Sequence, residues 1–260
     1  MISSYYENKL VTLYQGDCLE IMPQLDIKFD CCITDPPYGI NYSTFRTNEG
    51  NIENDKELSW SFDFCKNVSN LLKDGSHLYC FFDPEYSAEF VLGFRENNFK
   101  IRNFLTIPRG IPGNGGDRIF QQQNEFCIFA TKGNKNEGRK FNETQILNPT
   151  ETYLKDKRYK AKEWLYRLPD YWYWTKASVH NAHREFHPTQ KNIECIEYML
   201  KISTSENELI LDCFAGSGTT GIACMNLNRK CVLIEKEEKY CNIIIKRLQD
   251  KEKEISERLF

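Results

Sequence analysis

Two stretches of this sequence hold side chains that could do chemistry together. The first is Thr34-Asp35-Pro36-Pro37-Tyr38-Gly39, which follows the apolar run Phe29-Asp30-Cys31-Cys32-Ile33. That run reads as a buried strand. Two successive prolines offer no backbone N–H, so the strand has to stop there. A carboxylate, a rigid kink and an aromatic ring are thereby fixed at one strand end. The Asp35 carboxylate and the Pro36 carbonyl can each accept a hydrogen bond from an exocyclic amino group. The Tyr38 ring offers a stacking surface for a flat heterocycle. Such a set suits chemistry on the amine of a nucleobase. A tight proline turn with an ordinary capping Asp is the plainer alternative.

The second stretch is Asp212-Cys213-Phe214-Ala215-Gly216-Ser217-Gly218-Thr219-Thr220-Gly221. It lies between an apolar run ending at Asp212 and a helical pattern through Ile222, Ala223, Met225 and Leu227. A further apolar run, Cys231-Val232-Leu233-Ile234, ends at Glu235. Gly216, Gly218 and Gly221 match G-x-G-x-x-G, and an acid follows about 20 residues on, as in a dinucleotide fingerprint. A nicotinamide dinucleotide is the first ligand this suggests. A P-loop is excluded, because no Lys-Ser/Thr pair ends the glycine turn.

Taken together, the two stretches resemble the amino-group DNA methyltransferases that use S-adenosylmethionine. Asp35-Pro36-Pro37-Tyr38 is similar to that family's catalytic motif, and Asp212 through Thr220 to its cofactor motif. His187-Pro188-Thr189-Gln190-Lys191 resembles the segment before the cofactor strand, and Gly16-Asp17 and Asn124-Glu125-Phe126-Cys127-Ile128-Phe129 also fit. Catalytic motif first and cofactor motif last is the order of the beta class. Asn192 departs from the family, which often continues with proline there. The resemblance implies an α/β, Rossmann-like methyltransferase fold: a mostly parallel sheet with an antiparallel edge hairpin and circularly permuted motifs. It implies catalysis by Asp35, Pro36, Pro37 and Tyr38. It implies cofactor binding by Asp17, Cys18, Asp35, His187, Pro188, Thr189, Lys191, Asp212, Phe214, Ala215, Gly216, Ser217, Gly218, Thr219, Glu235 and Lys236. Its substrate would be double-stranded DNA, its further partners a second copy of the chain and a cognate restriction nuclease. Adenine N6 is the favoured target, because Asp at the first motif position goes more often with adenine and Ser with cytosine. Cytosine N4 is the alternative. Methylation of a cytosine ring carbon would need a thiolate in a Pro-Cys turn, and the sequence contains no Pro-Cys pair.

Composition narrows the remaining classes. The chain has 260 residues, 40% of them hydrophobic, which suits one α/β domain with an insertion. No apolar run approaches the ~20 residues of a membrane span, and the first residues lack the pattern of a signal peptide. Eleven cysteines, without a C-x-x-C pair, read as small core residues of a reduced, cytoplasmic chain. No metal is expected: His180 and His183 have metal-like spacing but no cysteine nearby. The formal charge of −3 is unevenly spread. From Lys132 to Lys191 there are 13 Lys and Arg against 7 Asp and Glu, so this stretch carries +6 and the rest −9. The basic section is rich in aromatics, including Tyr171-Trp172-Tyr173-Trp174. We expect residues 133–185 to be a target-recognition insertion between a catalytic half, 1–132, and a cofactor half, 186–260. Lys and Arg there would hold phosphates while polar side chains read base edges.

The elements that must position these groups follow from periodicity. Leu10 to Tyr14 reads as a strand ending at Gly16-Asp17, where Asp17 also suits a helix N-cap. Phe62 through Leu72 reads as a helix closed by Asp74-Gly75, and Ser76 to Phe82 as a strand. Asp83-Pro84 opens another helix, with Phe90, Val91 and Phe94 inward. Phe99 to Ile107 and Asn124 to Thr131 read as a strand pair. The polar stretch from Asn41 to Ser59 is expected to touch DNA; the glycine-rich Pro108 to Arg118 either closes on phosphates or is a flexible hairpin connection. Asn192 to Ile202 reads as a helix, and the final helix carries Tyr240, Ile244 and Leu248. The charged tail from Lys251 is expected to fray.

One further expectation is topological. The cofactor unit offers only two strands, too few for a buried parallel sheet. Its neighbours must come from the N-terminal half. That puts the strands leading to Asp17 and Asp35 beside those ending at Asp212 and Glu235, so the two motifs share one cleft.

Overall fold

The computed structural model describes residues 2–37, 60–108, 124–133, 141–142 and 190–257. The strands are β1 (Tyr6–Glu7), β2 (Val11–Gln15), β3 (Phe29–Thr34), β4 (Leu72–Phe82), β5 (Phe99–Pro108), β6 (Asn124–Lys132), β7 (Leu209–Asp212) and β8 (Lys230–Glu235). The helices are α1 (Cys18–Ile21), α2 (Ser61–Leu71), α3 (Ser87–Glu96), α4 (Ile193–Ser203), α5 (Thr219–Asn226) and α6 (Glu238–Glu257). The strands form one sheet in the order β1-β2-β8-β7-β3-β4-β6-β5. The five strands from β2 to β4 run parallel, and β6 and β5 close one edge as an antiparallel pair.

The N-terminal half supplies the missing neighbours of the cofactor unit. β2 pairs with β8, bringing Gln15 opposite Glu235. β3 pairs with β7, bringing Cys32 opposite Leu211. The carboxyl ends of four parallel strands, followed or closed by Asp17, Glu235, Asp212 and Asp35, therefore lie along one edge of the sheet. That edge is where open α/β sheets bind ligands.

Helices cover both faces, which is why β3, β7 and β8 are apolar almost throughout rather than alternating. One face packs Ile196, Met199 and Leu200 of α4 and Ile244 and Leu248 of α6 against Leu13, Ile33, Tyr79 and Leu233. The other packs Ile21, Phe64, Val68, Phe90 and Phe94 against Cys32, Leu78, Cys80, Leu211 and Ile234. All eleven cysteines are buried and free. Among the described residues no helix is long and apolar enough to cross a membrane.

Two elements differ from their sequence reading. The helix expected to end at Asp74-Gly75 stops at Leu71, and β4 begins at Leu72. Gly75 adopts φ 83°, and pairing with β3 is irregular between Phe29 and Cys31. The turn residues sit inside a strand as an irregularity, which glycine permits. The charged tail does not fray at Lys251: α6 continues to Glu257. Lys251 pairs with Glu254 at 2.9 Å, and Ile255 packs against the core.

Candidate active site

The glycine turn connects β7 to α5. Gly216 and Gly218 have φ of 53° and 78°, left-handed values that side chains with a Cβ rarely adopt. Gly221 serves a different end: a Cβ there would lie 2.9 Å from Leu233 Cδ1, so it lets α5 lie close on β8. The turn is tied to its neighbours through backbone. Ala215 N donates to Ile234 O at 2.9 Å. Gly216 N donates to Glu235 Oε2 at 2.7 Å. Ser217 faces α6, where Arg247 donates to its carbonyl and, at 3.1 Å, to its hydroxyl. Phe214 packs against Trp60 and Phe64, with ring centroids 5.7 and 5.5 Å apart. Thr219 is buried in the first turn of α5.

Two buried carboxylates flank this turn. Asp212 accepts from Phe214 N at 3.1 Å and from the Thr220 hydroxyl at 2.6 Å. Burial pushes it up to about 6, against the lowering by those two donors, and the nearby Asp35 charge adds to the rise. Glu235 accepts from Gly216 N and, at 2.9 Å, from Glu237 N. Burial pushes it up to about 7 despite both N–H groups. Each carboxylate oxygen retains further accepting capacity. The pair fits a ligand bearing positive charge and hydroxyl groups, as S-adenosylmethionine does. On the neighbouring strand Asp17 caps α1 through Leu19 N at 2.9 Å and meets Lys236 at 3.3 Å. The Cys18 side chain points into the core, and burial pushes its thiol up.

Asp35 follows β3, one strand over from Asp212. Its Oδ2 lies 2.5 Å from Lys191 Nζ. Lys191 also lies 3.8 Å from Glu125 Oε2 and 4.7 Å above the Phe81 ring centre. Asp35, Lys191, Asp212, the glycine turn and Glu235 thus gather at one edge of the sheet. Pro36 and Pro37 follow Asp35 there, and Tyr38, His187, Pro188 and Thr189 lie outside the described residues. So do the expected DNA-contacting stretch 41–59, the glycine-rich stretch 109–118 and nearly all of the expected recognition insertion.

Sequence reasoning gave Glu125 no role. β6 runs antiparallel to β4, so its first residues lie at the edge where the parallel strands finish. An acid at the start of an antiparallel strand could have been flagged on that ground. Trp60 behind Phe214 had no signal, since it stands alone at the start of α2.

A mostly parallel, two-faced sheet with an antiparallel hairpin and a glycine turn between two acids defines a methyltransferase of Rossmann-like architecture. The sequence matches the N6_N4_Mtase family, described as DNA methylase, over residues 29–246, and the chain belongs to that family. It is 31% identical to the Type II methyltransferase M2.MboI of Moraxella bovis, over 96% of this chain and 92% of that protein. The fold is shared with two solved structures. The M1.HpyAVI–SAM complex is 24% identical, with a TM-score of 0.62 over 92% of this chain and 100% of that one. The PvuII DNA methyltransferase, titled cytosine-N4-specific, is 17% identical, with a TM-score of 0.68 over 91% of this chain and 86% of that one.

Proposed function

We propose that this DNA methyltransferase transfers a methyl group from S-adenosylmethionine to the N6 amine of an adenine flipped out of duplex DNA. Cytosine N4 is the alternative, because it presents the same two-proton amine on a flat ring. The observation that carries the reading is the adjacency of β3 and β7, which sets Asp35 beside Asp212 and the glycine turn. Thr34-Asp35 favours adenine.

Asp212 balances positive charge on the cofactor, and Glu235 accepts from its ribose hydroxyls. Phe214 to Gly218 let backbone approach the methionine end. When bound, S-adenosylmethionine supplies a methyl carbon on a positively charged sulfur, which keeps the bond electrons as the methyl leaves. Flipping costs a few kcal/mol of stacking and pairing, and Tyr38 replaces part of the lost stacking. Asp35 and the Pro36 carbonyl accept the two amine protons, localise the nitrogen lone pair and aim it at the methyl carbon. Asp35 takes the proton that the nitrogen sheds as it gains its methyl. No covalent enzyme intermediate is needed; positioning and electrostatics carry the step. The basic insertion, residues 133–185, holds phosphates and reads the target sequence. A cognate restriction nuclease and a homodimer complete this reading.

The test is to express the chain in a methylation-free host and identify modified bases by mass spectrometry and sequencing. N6-methyladenine in one sequence context is the expected result. N4-methylcytosine would overturn the adenine assignment alone, and unmodified DNA would overturn the whole reading.

A further inference from the structure

Lys191 Nζ stands between two carboxylates, 2.5 Å from Asp35 and 3.8 Å from Glu125, over the Phe81 ring. The side chains of Lys191, Asp35 and Glu125 are only 10%, 19% and 20% exposed. An ion pair this shielded is screened far less than a surface pair, so its charges act strongly on one another. We propose that Lys191, held from behind by Glu125, is a positioning residue that keeps Asp35 ionised and turned toward the target amine. This rests on the reading of Asp35 as the acceptor of that amine.

The surroundings of Asp35 require such a cation. From β7 it faces the Asp212 carboxylate, from β4 the Cys80 thiol, from β6 Cys127 and Glu125, and from the segment before α4 Lys191. Partial burial and the neighbouring Asp212 disfavour a further negative charge. A protonated Asp35 would lose the accepting power the amine needs. Lys191 offsets this by holding its ammonium against Oδ2. Glu125 keeps the ammonium from swinging away, and the Phe81 face supports it.

The test compares the native chain with K191M, K191R and E125Q. It reads kcat against pH at saturating DNA and S-adenosylmethionine, together with cofactor affinity by calorimetry. In K191M the acidic limb moves to higher pH by about one unit or more, and turnover recovers as pH rises. Cofactor affinity changes by less than about threefold. K191R keeps the native limb. E125Q releases the ammonium that Glu125 holds, so its limb moves the same way as in K191M, to higher pH, but by less. The proposal is overturned if K191M loses cofactor binding in step with activity, or loses activity equally at every pH. An E125Q limb that stays in place or moves to lower pH overturns it too, and that arm decides alone should K191M not fold. Absence of methyl transfer by the native chain would instead remove the functional reading beneath it; unmoved profiles in an active enzyme remove only this inference.

Discussion

Gly216 N donates to Glu235 Oε2 at 2.7 Å, across the 19 residues that separate the glycine turn from the next strand end. The second oxygen accepts from Glu237 N. One carboxylate therefore ties the glycine turn to the end of β8. Glu235→Gln sets an NH2 group against one of those N–H donors. It should weaken S-adenosylmethionine binding about tenfold to a hundredfold. Calorimetric affinity close to the native value would show that the carboxylate has no part in holding the cofactor.

Asp212 and Glu235 are raised by burial to about 6 and about 7. As pH falls through that range the empty pocket takes up protons that a cationic ligand must displace. S-adenosylmethionine affinity should therefore improve as pH rises through about 6 to 7 and then level off, with protons released on binding. Stability of the ligand-free chain should move the opposite way. The folded state binds more protons than the unfolded one between about 4 and 7, so stability falls as pH rises through that window. Titrations in buffers of different ionisation enthalpy, with urea melts at each pH, measure both slopes.

Asp35→Asn keeps the shape of the side chain but removes its charge. Turnover on duplex DNA should fall at least about a hundredfold, with cofactor affinity within about threefold of native. A matching loss of cofactor affinity would mean that the carboxylate serves the cofactor rather than the amine.

Gly221 lies on the side of the turn that faces β8. Gly221→Val forces new methyl groups against Leu233, Leu248 and Val11, all fully buried. A loss of about 2 kcal/mol in urea unfolding is expected, net of the better helix propensity. An unchanged midpoint would show that α5 can shift away from β8 at little cost.

Much of this molecule was legible because its signals are local. The double proline ends β3 at Thr34, Asn192 caps α4 through Glu194 N, and the apolar runs before Asp35, Asp212 and Glu235 are all strands. Pairing of β2 with β8 and β3 with β7 was also foreseeable, since two strands cannot bury a parallel sheet alone. The start of β4 was not. Asp74-Gly75 reads as a helix stop, yet Gly75 with φ 83° serves equally as an irregularity inside a strand, and only the pairing with β3 decides between them.

The sequence by itself determined the chemistry available: four acids at strand ends, a glycine turn, a proline kink, and the order in which they occur. Spacing along the chain fixes such things because each depends on neighbours a few residues away. Tertiary structure alone decided what each acid touches beyond its own chain neighbours. That Lys191 lies against Asp35, with Glu125 behind it, depends on three distant segments converging at one edge of the sheet. No local pattern records a contact of that kind, because the free energy that makes it comes from burying the helices and strands that carry it.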